Sequence, residues 1–380
     1  MNPRPSVFAA GKVLTPAKEL TPGYVVVEGD RVAEVRQGTP RRADREFPAG
    51  VLVPGLVDLQ VNGAAGVDFL QCTQEQFAAA CRYLASTGTA SFLPTLVSAP
   101  LDTLRTAAGA LRRAVSAGAR ALGLHLEGPA LNPNRAGAHD PRWLVPADDP
   151  RLRTLVQELE DMVRLVTLAP ELPGGPELVR WLVSRGVVVS LGHTDATYAQ
   201  TQEAFQAGAT MVTHLFNAMR GLHHREPGPV GAALEEGEWA CSLVADGIHV
   251  HPSVFRLAYR LLGPDRVVLV TDAVAAAGAP PGRYRLGEVE LVVRPGDAPR
   301  LPDGTLAGSI LRMDQAVWNV TRWGVPLLDA VRMATSTPAR VLKLADRGHL
   351  RSGARADLCV LASGRAVLTV VGGEVVWQSA

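Results

Sequence analysis

The chain has 380 residues, 47% of them apolar and 20% charged, with a formal net charge of +1 at pH 7. That length allows one domain of about 250–300 residues and a smaller companion. The near-neutral balance gives no electrostatic reason to expect nucleic acid or an anionic membrane as partner, and no apolar run approaches the roughly 20 residues that span a bilayer.

The opening MNPRPSVFAAGKVLTP lacks the uninterrupted apolar stretch of a signal peptide. Cys72, Cys81, Cys241 and Cys359 are scattered, with no CxxC pair. Free buried thiols in a reducing, cytoplasmic setting are expected. Residues 1–50 read as short alternating runs, SVFAAGKVL and GYVVVEGDRVAEVR, with Gly29-Asp30 as a hairpin turn. The last thirty residues repeat this character in ADLCVLAS, RAVLTVVGG and EVVWQS.

Between the two ends, strands are expected near 51–61, 89–95, 121–127, 163–168, 187–192, 210–214, 240–245 and 267–272. Helical stretches separate them. Thr73 with Gln76 forms a capping box before a helix that Gly88 closes, and Pro176 to Gly186 frames PELVRWLVSRG. TYAQTQEAFQAG follows the same logic. A segment near 280–305, rich in Pro, Gly and β-branched residues, reads as a hairpin after the eighth strand. The expected fold class is α/β: a (β/α)8 TIM-type barrel over 51–349 and a small β-sandwich domain from residues 1–50 and 350–380. A doubly wound open sheet would give a similar linear pattern.

Four apolar runs end on residues that bind metals or move protons: ALGLHLE at Glu127, VVVSLGH at His193, TMVTH at His214 and RVVLVTD at Asp272. In a parallel α/β protein such strand ends face the edge where sites are built. Imidazoles with a carboxylate are the ligand set of a catalytic Zn2+ or Fe2+ site. Asp272 is placed to take a proton from water and return it to a leaving group. The plainer alternatives are an arginine-paired core Glu127 and an N-capping Asp272. His125, two residues before Glu127, points to the same face one layer deeper and reads as a core histidine.

Around these lie candidates for holding a substrate. Asn217 and the backbone near Ala218 can donate to an anion, Arg225 offers a fork for phosphate or carboxylate, and His249 and His139 sit in loops of the same face. Only Lys12, Lys18 and Lys343 are lysines, so no carbamylated lysine can bridge two metals on the fourth strand. Gln60 and Asn62 stand where two-metal hydrolases of this shape carry His-x-His, and amides are poor first ligands for Zn2+. A single tight metal, with Gln60 beside its water, is expected.

Motifs along nearly the whole chain then resemble one family. They are PGLVDLQVNG, LPTL, GLHLEGP, TLAPE, GHTDAT, THLFNAM, REPG, ADGIHV, VTDA, DGTLAGS and MAT..PAR. In this order they resemble the N-acetylglucosamine-6-phosphate deacetylases of the amidohydrolase superfamily. The resemblance implies the barrel, a homodimer, and one divalent ion per subunit, Zn2+ first, with Fe2+, Co2+ or Mn2+ as alternatives. It implies Glu127, His193 and His214 as metal ligands, Asp272 as base then acid, and His139 polarising the acetamide carbonyl. Asn217, Ala218 and Arg225 would hold the phosphate of a sugar-phosphate substrate, with His249 beside it. Arg225 and His249 would serve the neighbouring subunit's site. Two other readings stand beside this one: action on another N-acylated substrate, such as the galactosamine isomer or an N-acyl amino acid, and a non-catalytic barrel that should have lost its ligands.

Overall fold

The computed structural model describes residues 4–15, 17–235 and 237–379. Its centre is a ring of eight parallel strands, numbered here within the barrel: β1 Leu56–Val61, β2 Thr89–Val97, β3 Leu124–Glu127, β4 Val163–Leu168, β5 Val188–Leu191, β6 Met211–Val212, β7 Ala240–Val244 and β8 Val267–Val270. Each pairs with the next in register, from Leu56 opposite Thr89 round to Cys241 opposite Val267. The ring closes where Asp272 N donates to Gln60 O at 3.0 Å and Asn62 N to Ala273 O at 2.7 Å. The expected (β/α)8 class holds.

Every residue of β1 and β2 is buried. Helices cover one face and the barrel interior fills the other, which is why these strands read as continuous apolar runs. The helices begin where the sequence provides caps. Gln74–Ala85 starts on the Thr73–Gln76 capping box and Tyr198–Gln206 on a second box from Thr197 and Gln200. Each box satisfies two N–H groups that would otherwise lack partners.

Both termini build a separate eight-stranded sheet. Its order runs from Glu374–Gln378 through Arg365–Val371, Leu358–Ala362, Arg45–Pro54, Ser6–Leu14 and Gly23–Glu28 to Arg31–Gln37, with Glu19–Leu20 beside Ser6–Leu14. Phe8, Val25, Leu52, Leu358 and Leu368 lie in its own apolar core. The strand expected over 51–61 is two strands. Arg45–Pro54 pairs in the terminal sheet, Gly55 turns the chain, and Leu56–Val61 enters the barrel. A methyl group on Gly55 would come within 2.3 Å of Ala90 Cβ, so the crossing needs glycine. The expected hairpin after β8 is present as Gly282–Leu286 and Val289–Val293. All four cysteines are free. Among the described residues, no helix is long and apolar enough to cross a membrane.

Candidate active site

Three of the four chemistry-bearing residues sit two positions past the last residue of a barrel strand, at His193, His214 and Asp272. All three have left-handed backbones, with φ of 48°, 29° and 50°. Non-glycine residues adopt such angles at a cost of about 1–3 kcal/mol each, and do so mainly where function holds them. The turn lifts each side chain over the barrel mouth, where Glu127, the last residue of β3, joins them.

The side chains converge. Glu127 Oε1 lies 3.3 Å from His193 Nε2 and 3.1 Å from His214 Nε2, and the two Nε2 atoms are 3.1 Å apart. Tetrahedral zinc with bonds of about 2.0–2.1 Å needs ligand atoms roughly 3.3–3.4 Å from one another, so this triangle is close to the required size. His193 Nδ1 lies 2.9 Å from Arg135 O. A proton on Nδ1 bonds that carbonyl and frees the Nε2 lone pair for a cation. Among the described residues, His214 Nδ1 is buried with no partner.

Burial works against the charge on Glu127, yet the adjoining His193 and His214 side chains hold its carboxyl well below the usual range. His214 is the counterpart: burial opposes its protonation, but Glu127 pulls it up. Three protein ligands with one negative charge and a neighbouring cavity suit an open divalent-metal site.

His139 is also close enough to count as a ligand, since its ring lies within the same cluster as Glu127 and His193. Its hydrogen bonds argue otherwise. Ser98 N donates to His139 Nδ1 at 3.2 Å, with Ser98 Oγ 2.9 Å from the same atom. Nδ1 is therefore an acceptor, and the ring proton sits on Nε2. Burial and the adjacent His193 push His139 down to about 3, keeping the ring neutral. An Nε2–H is a donor and not a ligand. It lies 3.8 Å from Glu127 Oε2 and can turn to a substrate oxygen.

Asp272 faces the triangle from β8. Asn62 Nδ2 donates to its Oδ1 at 2.8 Å, and Gln60 Nε2 reaches both that oxygen (3.2 Å) and Glu127 Oε1 (2.8 Å). Gln60 thus bridges the Glu127 and Asp272 carboxyl groups. Both amides hold Oδ1, which directs proton exchange to Oδ2. Burial and the charge of Glu127 raise the Asp272 carboxyl to about 6.

These groups open on a cavity of about 230 Å³ whose wall includes Asn217, Ala218, His249, Leu286 and Leu306. Asp246 orients His249: its Oδ2 is 2.7 Å from the ring Nδ1, and its Oδ1 accepts from the N–H groups of Ile248 and His249. Ala218 is left-handed at φ 50°.

The amidohydrolase family model matches residues 51–376. A Bacillus subtilis (strain 168) protein named N-acetylglucosamine-6-phosphate deacetylase is 34% identical, over 97% of this chain and 96% of its own. An Escherichia coli O157:H7 protein named N-acetylgalactosamine-6-phosphate deacetylase is 40% identical, over 84% of this chain and 85% of its own. Among solved structures, a mutant Mycobacterium smegmatis N-acetyl-D-glucosamine-6-phosphate deacetylase in complex with N-acetyl-D-glucosamine-6-phosphate superposes with a TM-score of 0.94. It is 38% identical and covers 98% of this chain and 100% of its own. The chain belongs to the amidohydrolase family.

Within this amidohydrolase, one expected residue stands apart. Arg225 is exposed in the loop after β6 and does not line the cavity, whereas His249 lines the cavity of its own chain. His125 lies beneath the site, bonded to Leu59 O and Thr167 Oγ1 and pushed down to about 4 by burial, as a core histidine should be. Sequence reasoning missed Ser98, Asp246 and the Arg135 carbonyl. Asp246 ends the apolar run ACSLVAD two positions past β7, and Ser98 directly follows β2, so a strand-end signal could have found both, whereas a backbone carbonyl has no sequence signature. The place of Leu286 and Leu306 in the cavity wall has no sequence signal either: the segment near 280–305 reads as a hairpin, and Leu306 lies just past it.

Proposed function

We propose that this amidohydrolase removes the acetyl group of N-acetylglucosamine 6-phosphate, giving glucosamine 6-phosphate and acetate. The observation that carries this reading is the convergence of Glu127, His193 and His214 within 3.3 Å, with Asp272 and His139 on the same cavity. Identity of 34% to the Bacillus subtilis deacetylase over nearly the whole chain supports the substrate class.

Glu127, His193 and His214 would hold one divalent ion, Zn2+ first, with Fe2+, Co2+ and Mn2+ distinguished by elemental analysis. Once bound, such an ion polarises the amide carbonyl and acidifies the attacking water. The protein groups do the rest. His139 Nε2–H donates to the carbonyl oxygen as it gains charge. Asp272 takes the proton of the water as its oxygen bonds the carbonyl carbon, then delivers it to the nitrogen as the C–N bond breaks. Acetate and the free amine leave.

Asn217 and the backbone at Ala218 would meet the phosphate, with His249 beside the sugar. Arg225, exposed on its loop near Leu222, would complete the site of a second subunit in a homodimer. Acetate release from N-acetylated sugars, with and without the 6-phosphate, tests the reading. Equal rates without phosphate remove the phosphate assignments. The 40% identity to the galactosamine-type relative favours one second reading, the galactosamine isomer as substrate. Including both isomers in the panel decides it, because the preferred sugar should lead in kcat/KM.

A further inference from the structure

Two motif residues play no part in the mechanism above: Asp58 of PGLVDLQVNG and Ser309 of DGTLAGS. Both bond the short stretch that presents Asp272. Asp58 Oδ1 accepts from Thr271 N at 3.2 Å and its Oδ2 from Thr271 Oγ1 at 2.6 Å. From the opposite side, Ser309 Oγ donates to Thr271 O at 2.5 Å and Ser309 N to Asp272 O at 2.8 Å. Val274 N returns a bond to Ser309 O at 3.0 Å, and Ala273 N reaches Thr271 Oγ1 at 3.2 Å.

The loop comes this close because Gly308 has no side chain. A methyl group there would lie 2.8 Å from Asp272 O and 2.5 Å from Val274 Cγ1, at a left-handed φ of 63°. Asp58, Thr271 and Ser309 are all at most 2% exposed. Burying the Asp58 carboxyl costs desolvation, which its bonds to one hydroxyl and two backbone N–H groups, Thr271 N and Gln60 N (3.3 Å), offset. That arrangement serves a residue that must stay at φ 50° with its carboxyl facing the site.

We infer that Asp58, Thr271 and Ser309 form a clamp that fixes Asp272 in its left-handed conformation, and that all three are positioning residues for proton transfer. The inference rests on the reading of Asp272 as the proton carrier. It makes the clamp act on turnover, leaving substrate affinity and metal loading alone.

The test uses the metal-loaded enzyme. Thr271→Val keeps the side-chain volume and removes the hydroxyl, Thr271→Ser restores the hydroxyl, and Ser309→Ala removes the opposing contact. Misplacing a catalytic group by about 1 Å can cost about 100-fold in rate, so a partial release of the clamp should lower kcat between about 10- and 100-fold. That loss is expected in Thr271→Val and Ser309→Ala, with KM within about twofold, metal content at the wild-type level, and most of the rate regained in Thr271→Ser. Wild-type kcat in Thr271→Val and Ser309→Ala overturns the clamp. So does a Thr271→Ser variant as slow as Thr271→Val, or a loss of rate that tracks loss of metal. Asp272→Asn in parallel separates the two claims. Near-normal turnover there removes the proton-carrier reading itself, whereas an inactive Asp272→Asn beside fully active clamp variants removes only the clamp.

Discussion

Asp272 can act as a base only when ionised. Burial and the charge of Glu127 raise its carboxyl to about 6 among the protein groups alone. A divalent cation nearby favours the carboxylate and shifts that value down. The acidic limb of kcat/KM should therefore lie at or below pH 6, with activity lost as pH falls through it. A limb near 7.5 would point to another base. Asp272→Asn should lower turnover by orders of magnitude while the metal, bound by other residues, stays at one equivalent. His139 gives a sharper contrast. If its Nε2–H is a carbonyl donor, as the Ser98 bonds require, His139→Ala should cost about 10²–10³ in kcat with metal content unchanged. Parallel loss of metal in that variant would make it a ligand. At this scale the sequence revealed the residues that end strands. The tautomer of His139 was invisible because it depends on a serine 41 positions away.

At the level of elements, the eight strand expectations landed because each barrel strand is an apolar run ending in a polar turn. The one over 51–61 merged a strand of the terminal sheet with a barrel strand because VLVPGLVDLQV carries apolar residues through Pro54 and Gly55 with no polar break. Partner sheets separate the two halves, and composition does not. The one over 121–127 ran from the short strand Arg120–Ala121 into β3. The barrel interior was equally hidden. Beneath the site, His125 Nε2 meets Thr167 Oγ1 (2.8 Å), which meets Thr213 Oγ1 (2.7 Å), which meets Ser190 Oγ (2.6 Å). In sequence these are isolated polar residues in four apolar strands; only ring closure makes them a chain. Thr213→Val, equal in volume, would strip a partner from two buried hydroxyls. A loss of about 1–3 kcal/mol in unfolding free energy is expected. A variant as stable as wild type in thermal unfolding would mean the neighbouring hydroxyls re-pair without it.

For the whole molecule, the question is whether the terminal sheet and the barrel unfold together. Several bonds cross between them. Thr369 Oγ1 donates to Ala85 O at 2.7 Å, Ala366 N to the buried Asp314 at 2.9 Å, and Gly55 N to Asp357 O at 2.8 Å. At the centre of this seam Arg347 pairs with Asp357 of the terminal sheet and reaches Ser91 Oγ of β2 at 3.2 Å. Burial raises the Asp357 carboxyl even with Arg347 and Arg355 beside it, so the pair stands on a desolvated charge. Breaking an isolated buried pair costs about 3–5 kcal/mol, and here Arg355 stays 3.5 Å from Asp357, so removing Arg347 should cost less than that. Arg347→Met should therefore lower Tm, within one calorimetric transition that moves as a unit. Adding Asp357→Asn should recover part of the loss, since the double variant no longer buries a carboxylate that has lost its closest cation. Two resolved transitions in the wild-type protein would show that the sheet unfolds on its own. A double variant less stable than the sum of the singles would mean that the seam is held by contacts other than this ion pair.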